Sequence, residues 1–355
     1  MTRRDVLQRR LATQMLQGEG LPRAADVVRL LGCVQSQEYA HALWSLGMRT
    51  SGLRAAEVQA EFDRGDFLRT HILRPTWHFV AAEDIRWILE VTAPRVQKLN
   101  QTIYRQEGLD LGTLDRGLAL IVKELKGGRY RTRAELGQAL ADQRLVSQRL
   151  GLAYIVMNAE LHGIVCSGPM RGSQQTYALL EERVPRSADA AGDAAELARR
   201  FFAGHGPASI PDLARWSSLT ISQCRDALAA VKDRLDCVTV EGVELWFDPG
   251  APRAGQSSDA LLLPLYDELT LSYPMINFPQ ATGHPHHPGE DLFVGSVIIA
   301  KTNVGNWRRT VKGHKIIMEI ALAPEVMQRS RSLVEAAASK LATFQGKELE
   351  LTITG

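Results

Sequence analysis

At 355 residues, with 45% apolar and 23% charged side chains, the chain is too long for one small core and too apolar for disorder. Its four cysteines, Cys33, Cys166, Cys224 and Cys237, are too widely spaced for a disulfide framework or a paired-thiolate zinc site, and they fit a reducing cytoplasm. The net charge of +2 hides an uneven distribution, since residues 123–149 carry seven Lys/Arg against three Asp/Glu and residues 301–331 seven against two.

Such basic windows are solvated helix faces in many proteins, but folded together they make a groove for nucleic acid. The sequence has no run of about 18 apolar residues and no apolar signal-peptide core, so a cytoplasmic protein without a membrane span is expected.

In chain order, periodicity predicts helices over residues 3–17, 24–32 and 55–65, then a strand pair through 68–73 and 76–80 around Arg74-Pro75. A second set follows, with helices over 114–125, 133–141 and 151–162 and an alternating segment over 175–180. The third set has helices over 194–202, after Ser209, and from Thr220 to Leu235, and ends in strands 236–240 and 243–247 around Glu241-Gly242. Three helices and a hairpin in about 60 residues is the winged-helix arrangement. The fold class expected is therefore mainly α with β: three tandem winged-helix units (1–110, 111–185, 190–250) followed by a C-terminal β-rich domain (260–355). Strands near 294–300, 310–311, 315–322 and 348–353 and a helix over 324–344 give that last domain the pattern of a partial barrel.

Five motifs in order carry a resemblance. They are Gln35-Ser36-Gln37, Arg69 through Arg74-Pro-Thr76-Trp77-His78 with Asp84, Arg200 through His205-Gly206-Pro207 with Asp212 and Trp216-Ser217, Tyr266-Asp267-Glu268, and Gly295 through Trp307-Arg308-Arg309. On these the chain resembles the AlkZ/YcaQ-type DNA glycosylases over nearly its whole length. The resemblance implies excision of cationic alkylpurines of the 7-alkylguanine type, in DNA repair or self-resistance, and unhooking of interstrand crosslinks by some members. It also implies that Gln35 and Gln37 are catalytic; the family usually has an apolar residue where this chain has Ser36.

The chemistry suits a modest pair of side chains. A 7-alkylated purine is already cationic, so it leaves without a general acid, and an amide oxygen can hold the attacking water and stabilise the oxocarbenium-like sugar. The plainer alternative is that both glutamines cap or follow the second helix on a polar face. Arg74, Trp77 and His78 are candidate DNA contacts beside a reading in which Trp77 is core and His78 bonds backbone. Arg308 and Arg309 are further DNA candidates at what reads as a basic hairpin tip. Asp267-Glu268 is a paired-carboxylate candidate, although neighbours on a strand face opposite ways.

No lysine lies near Gln35 to Gln37, so a monofunctional glycosylase needing no metal or other cofactor is expected, a monomer acting on duplex DNA with alkylated bases. The competing functions are a non-catalytic winged-helix DNA-binding regulator and, through His284-Pro-His286-His287, a zinc hydrolase.

Overall fold

A computed structural model describes residues 1–146, 149–252, 259–285 and 294–355. The first segment runs α1 (Arg3–Thr13), α2 (Ala24–Leu31), β1 (Cys33–Gln35), α3 (Tyr39–Gly47), α4 (Ala55–Arg64), β2 (Phe67–His71), β3 (Trp77–Ala81) and the long α5 (Ile85–Gln106). Next come α6 (Leu111–Leu125), β4 (Arg131–Thr132), α7 (Arg133–Asp142), α8 (Arg149–Leu161), β5 (Val165–Ser167), β6 (Thr176–Leu179) and the short α9 (Leu180–Arg183). The third run is α10 (Ala194–His205), α11 (Ile210–Ser217), α12 (Ile221–Ala229) and the hairpin β7 (Asp236–Val240) and β8 (Val243–Phe247). The chain closes with β9 (Leu261–Leu263), α13 (Glu268–Leu271), β10 (Gly295–Ile299), β11 (Thr302–Lys312), β12 (Lys315–Leu322), α14 (Pro324–Gln345) and β13 (Glu348–Thr354). No helix among the described residues is long and apolar enough to cross a membrane.

Local chemistry sets many of the boundaries. Reciprocal capping boxes open α7 (Thr132 with Glu135), α11 (Ser209 with Asp212) and α12 (Thr220 with Gln223), each satisfying backbone N–H groups that the first helical turn leaves unpaired. The β7–β8 hairpin turns at Glu241 and Gly242, whose φ values of 50° and 78° are the two left-handed positions of a type I′ turn.

Two features differ from the expectations. The segment between α2 and α4, to which the sequence pattern gave no element, holds β1 and α3. The last helix of the third run stops at Ala229 rather than Leu235, and one 3₁₀ turn over Lys232–Arg234 follows; this keeps Leu228 and Val231 on the core while redirecting the chain into β7. The C-terminal strands form an open sheet of order β13-β12-β11-β10-β9 with β12 and β13 parallel and with β9 and β13 at its edges. The Pro- and Gly-containing stretch over residues 249–259, whose composition reads as a linker, falls mostly outside the described residues.

The C-terminal sheet does not stand alone. One hydrophobic cluster joins Val27, Leu43, Phe62, Phe67 and Phe79 to Trp307, Met318 and Leu341. Another joins Cys33, Leu68 and Val80 to Phe201, Trp216 and Leu228. The small sheet β1-β3-β2 is therefore sandwiched, with alternate residues feeding opposite cores. Trp44 and Trp307 donate indole N–H bonds of 2.8 Å to the successive carbonyls of Leu262 and Leu263 in β9.

Beneath this junction Arg49 and Asp267, neither with exposed side-chain surface, form a two-pronged ion pair at 2.8 and 2.9 Å, and Ser45 Oγ donates to Asp267 at 2.7 Å. Removing one partner strands a buried charge. Asp267→Ala is expected to lower unfolding free energy by about 3–5 kcal/mol, read from urea denaturation; a loss below about 1 kcal/mol would contradict this placement.

Candidate active site at the end of strand β1

Strand β1 pairs with β3 so that Gln35 lies opposite His78, and His78 opposite Thr70, on one face of the sheet. After Gln35 the chain leaves the ladder but stays anchored. Ser36 N–H donates to the Trp77 carbonyl at 2.8 Å, and Ser36 C=O accepts from Arg69 Nε and Nη2 at 3.0 and 2.8 Å. Arg69 Nη2 also reaches the Gln37 carbonyl at 3.3 Å. The Arg69 guanidinium stacks over the Trp77 ring at 4.3 Å and bonds Gln175. Burial pushes its pKa down to about 10, which leaves it a cation at neutral pH.

This clamp brings the two glutamines together. Gln35 Oε1 accepts from Thr76 Oγ1 at 3.1 Å and from Arg74 Nη2 at 3.4 Å, while Gln37 Oε1 accepts from Trp77 N–H at 3.4 Å. Both carboxamide oxygens are thus held at the Thr76–Trp77 step of the facing strand. Gln35 is 7% exposed and Gln37 half-buried, so the pair sits at the rim of the core rather than on an open helix face.

Of the three neighbours expected to touch DNA, His78 lies furthest in. It is fully buried, with Nδ1 2.9 Å from the Thr76 carbonyl and Nε2 3.1 Å from Arg74 Nη2, which assigns the proton to Nδ1 and makes Nε2 the acceptor. Burial and then Arg74 depress its pKa to about 3, so the ring is neutral near pH 7 and supports Arg74 rather than a phosphate. Arg74 is itself spent on internal partners, donating to the carbonyls of Arg215 and Trp216 at 3.2 and 3.4 Å as well as to Gln35. Trp77 is half-buried, its indole N–H directed at Glu160 at 3.4 Å; Glu160 also pairs with His71. With Tyr177, Thr132, Arg133, Leu152 and Gln174, Trp77 lines a cavity of about 660 Å³.

Behind Gln35 lies Glu268, with no exposed surface. Its Oε1 accepts the Gln35 backbone N–H at 2.8 Å, Oε2 accepts from Ser272 Oγ at 2.9 Å, and His205 Nε2 stands 3.5 Å away. Burial alone would raise its pKa, but His205, Arg74 and the Gln35 N–H outweigh that and hold it down at about 2. Asp267 and Glu268 point to different partners, Arg49 and Gln35, and both are enclosed. They do not form an acid–base pair facing a substrate.

The Trp307-Arg308-Arg309 expectation is corrected. These residues lie inside β11, which extends to Lys312, and the basic tip of the hairpin is Lys312-Gly313-His314-Lys315. Trp307 is buried and stacks on His41 at 5.4 Å; Arg308 is exposed and pairs with Glu319 at 2.6 Å on the outer face. Arg309, half-buried, is on the Trp307 face, close enough to lower the His41 pKa together with burial. Of the histidine run, His284 is buried and His286 and His287 lie outside the described residues. Among the described residues, no group of three His, Cys, Asp or Glu side chains could hold a metal.

Sequence reasoning assigned no role at this site to Arg69, Thr76 or His205, and it read Glu268 only as half of a carboxylate pair with Asp267, not as the partner of Gln35. All four stand inside the quoted motifs, which was the available signal; their convergence required the folded chain.

Comparison with known proteins agrees with this frame. The AlkZ-like family, described as DNA glycosylase AlkZ-like, matches residues 28–344. A protein of Streptomyces sahachiroi described as an interstrand DNA cross-link repair glycosylase is 27% identical over 254 residues, covering 67% of each chain. The solved structure of the Streptomyces sahachiroi DNA glycosylase AlkZ superposes with a TM-score of 0.79 at 21% identity, covering all of both chains, so the two share a fold.

Ser36 is fully buried and its Oγ has no hydrogen-bond partner among the described residues. An unpaired buried hydroxyl destabilises, so Ser36→Ala is expected to raise stability by about 1 kcal/mol, with the urea midpoint moving upward. A comparable loss would reveal a partner for that hydroxyl.

Proposed function

This chain belongs to the AlkZ-like DNA glycosylase family, and from that premise we propose that it excises cationic alkylpurines, of the 7-alkylguanine type, from duplex DNA. The observation that carries this is the gathering of the Gln35 and Gln37 carboxamide oxygens at one clamped step of β3. In the proposed reaction those oxygens hold a water against the anomeric carbon. The water oxygen bonds to that carbon as the glycosidic bond breaks, the bonding pair goes to the purine and neutralises it, and the water's proton passes to solvent. The leaving base brings its own positive charge, so no general acid is required, and the neutral His78 is consistent with that.

The helix-rich repeats are read as three winged-helix units, 1–110, 111–185 and 190–250, that hold the duplex ahead of the β-rich 260–355 region. Arg309 and the Lys312–Lys315 tip supply charge toward the backbone. Crosslink unhooking, named for the Streptomyces sahachiroi relative, is proposed here as well. The cavity beside Trp77 is the space into which a substituent larger than methyl would pass.

Two outcomes are expected. The wild-type protein releases 7-methylguanine from alkylated duplex DNA, and Gln35→Ala and Gln37→Ala each lower the single-turnover rate by about 100-fold or more with DNA binding retained. DNA binding with no base release from methylated or crosslinked substrate would instead indicate a non-catalytic binding protein. The second concerns bulk: Ala134 is exposed at the cavity edge, so Ala134→Trp should leave 7-methylguanine release within about twofold while slowing 7-benzylguanine release by about tenfold or more. Equal effects on both bases would separate the cavity from the lesion.

A further inference from the structure

Gln35 is gripped by two opposite charges. Arg74 donates to its side-chain oxygen at 3.4 Å and Glu268 accepts its backbone N–H at 2.8 Å. Glu268 is withdrawn from water and Arg74 is half-buried, and each favours the charged form of the other. An enclosed carboxylate carries a desolvation penalty of several kcal/mol. Accepting one backbone N–H does not require that charge, because a neutral amide or carbonyl oxygen would accept equally well.

His205 at 3.5 Å and, after it, Arg74 both favour the charged carboxylate, and of these two Arg74 is the one that touches the Gln35 carboxamide. A guanidinium one hydrogen bond from the amide oxygen that faces the sugar would oppose the positive charge growing on the anomeric carbon, and in an enclosed site that opposition is weakly screened. On the proposed excision reaction, we infer that Glu268 is a positioning residue that fixes the Gln35 backbone and cancels the Arg74 charge, so that the glutamine pair meets a cationic transition state across a nearly neutral surface.

Its own placement is prepared by neighbours. Asp267, the preceding residue, is locked by Arg49 and caps Leu269 N–H at 3.0 Å, and Ser272 Oγ holds the second carboxylate oxygen. His205 faces the same oxygen from α10, stacked on Phe201 at 4.8 Å. The carboxylate therefore has little freedom to follow the reaction, which is the requirement for a fixed electrostatic partner.

The test measures single-turnover 7-methylguanine release and DNA affinity side by side for the wild type, Glu268→Gln, Arg74→Gln and the double variant. Glu268→Gln keeps an acceptor for the Gln35 N–H but exposes the Arg74 charge. It is expected to lower the rate by about 10- to 100-fold while DNA affinity is unchanged or tighter. The double variant leaves neither member of the Arg74–Glu268 pair ionised, so it is expected to fold and to recover about tenfold over Glu268→Gln. A merely structural role would weaken binding and rate together, and its losses would add. Wild-type release matched by Glu268→Gln, or a double variant slower than both singles, would overturn this inference alone; no release by the wild type would overturn it together with the proposed function.

Discussion

The buried pair of Arg49 with Asp267 is the constraint on which the site depends. Arg49 closes the turn after α3, and Asp267 opens the turn into α13, so one ion pair ties the first segment of the chain to the last across 218 residues. Because Asp267 cannot rotate away, the next residue is committed to the opposite side, where Glu268 meets the end of β1. Charge burial of this kind is a poor source of net stability, yet it specifies one arrangement strongly, since every alternative leaves an ion unpaired in the interior.

From that point the site is a sequence of imposed positions. Glu268 holds the Gln35 backbone, Arg69 holds the Ser36 and Gln37 carbonyls, and β3 offers Thr76 and Trp77 to the two carboxamides. The electrostatics follow from burial. His78 is too enclosed to carry a proton, Arg69 and Arg74 stay cationic, and Glu268 stays anionic, so the polar groups nearest the glutamines neither give nor take protons near neutral pH. Such a surface suits a reaction whose leaving group is charged beforehand.

Much of the helical frame was legible in the sequence because its signals are local. Capping residues such as Ser209 and Thr220, and the Glu241-Gly242 turn, act within four residues of themselves, and helices and hairpin begin where these residues place them. The failures share the opposite property. A three-residue strand such as β1 has no periodicity to detect, and α12 ends where tertiary packing requires a turn. Trp307-Arg308-Arg309 resembles a turn because two cations follow an aromatic, yet Trp307 is consumed by His41 and the Leu263 carbonyl, which keeps the strand running to Lys312.

The sequence by itself determined the order of helices and hairpins and, through its resemblance to the glycosylase family, the pair Gln35 and Gln37 as the residues to inspect. Hydrogen bonds and φ preferences a few residues apart suffice for the first, and a short motif for the second. Only the tertiary structure decided that these glutamines face Thr76 and Trp77, that Arg74 and His78 are turned inward to support them, and that Glu268 stands behind Gln35. Those contacts join residues 39 to 233 positions apart, and no local preference records a partner that distant; it is fixed when buried charges and alternating strand faces find the one packing in which each is satisfied.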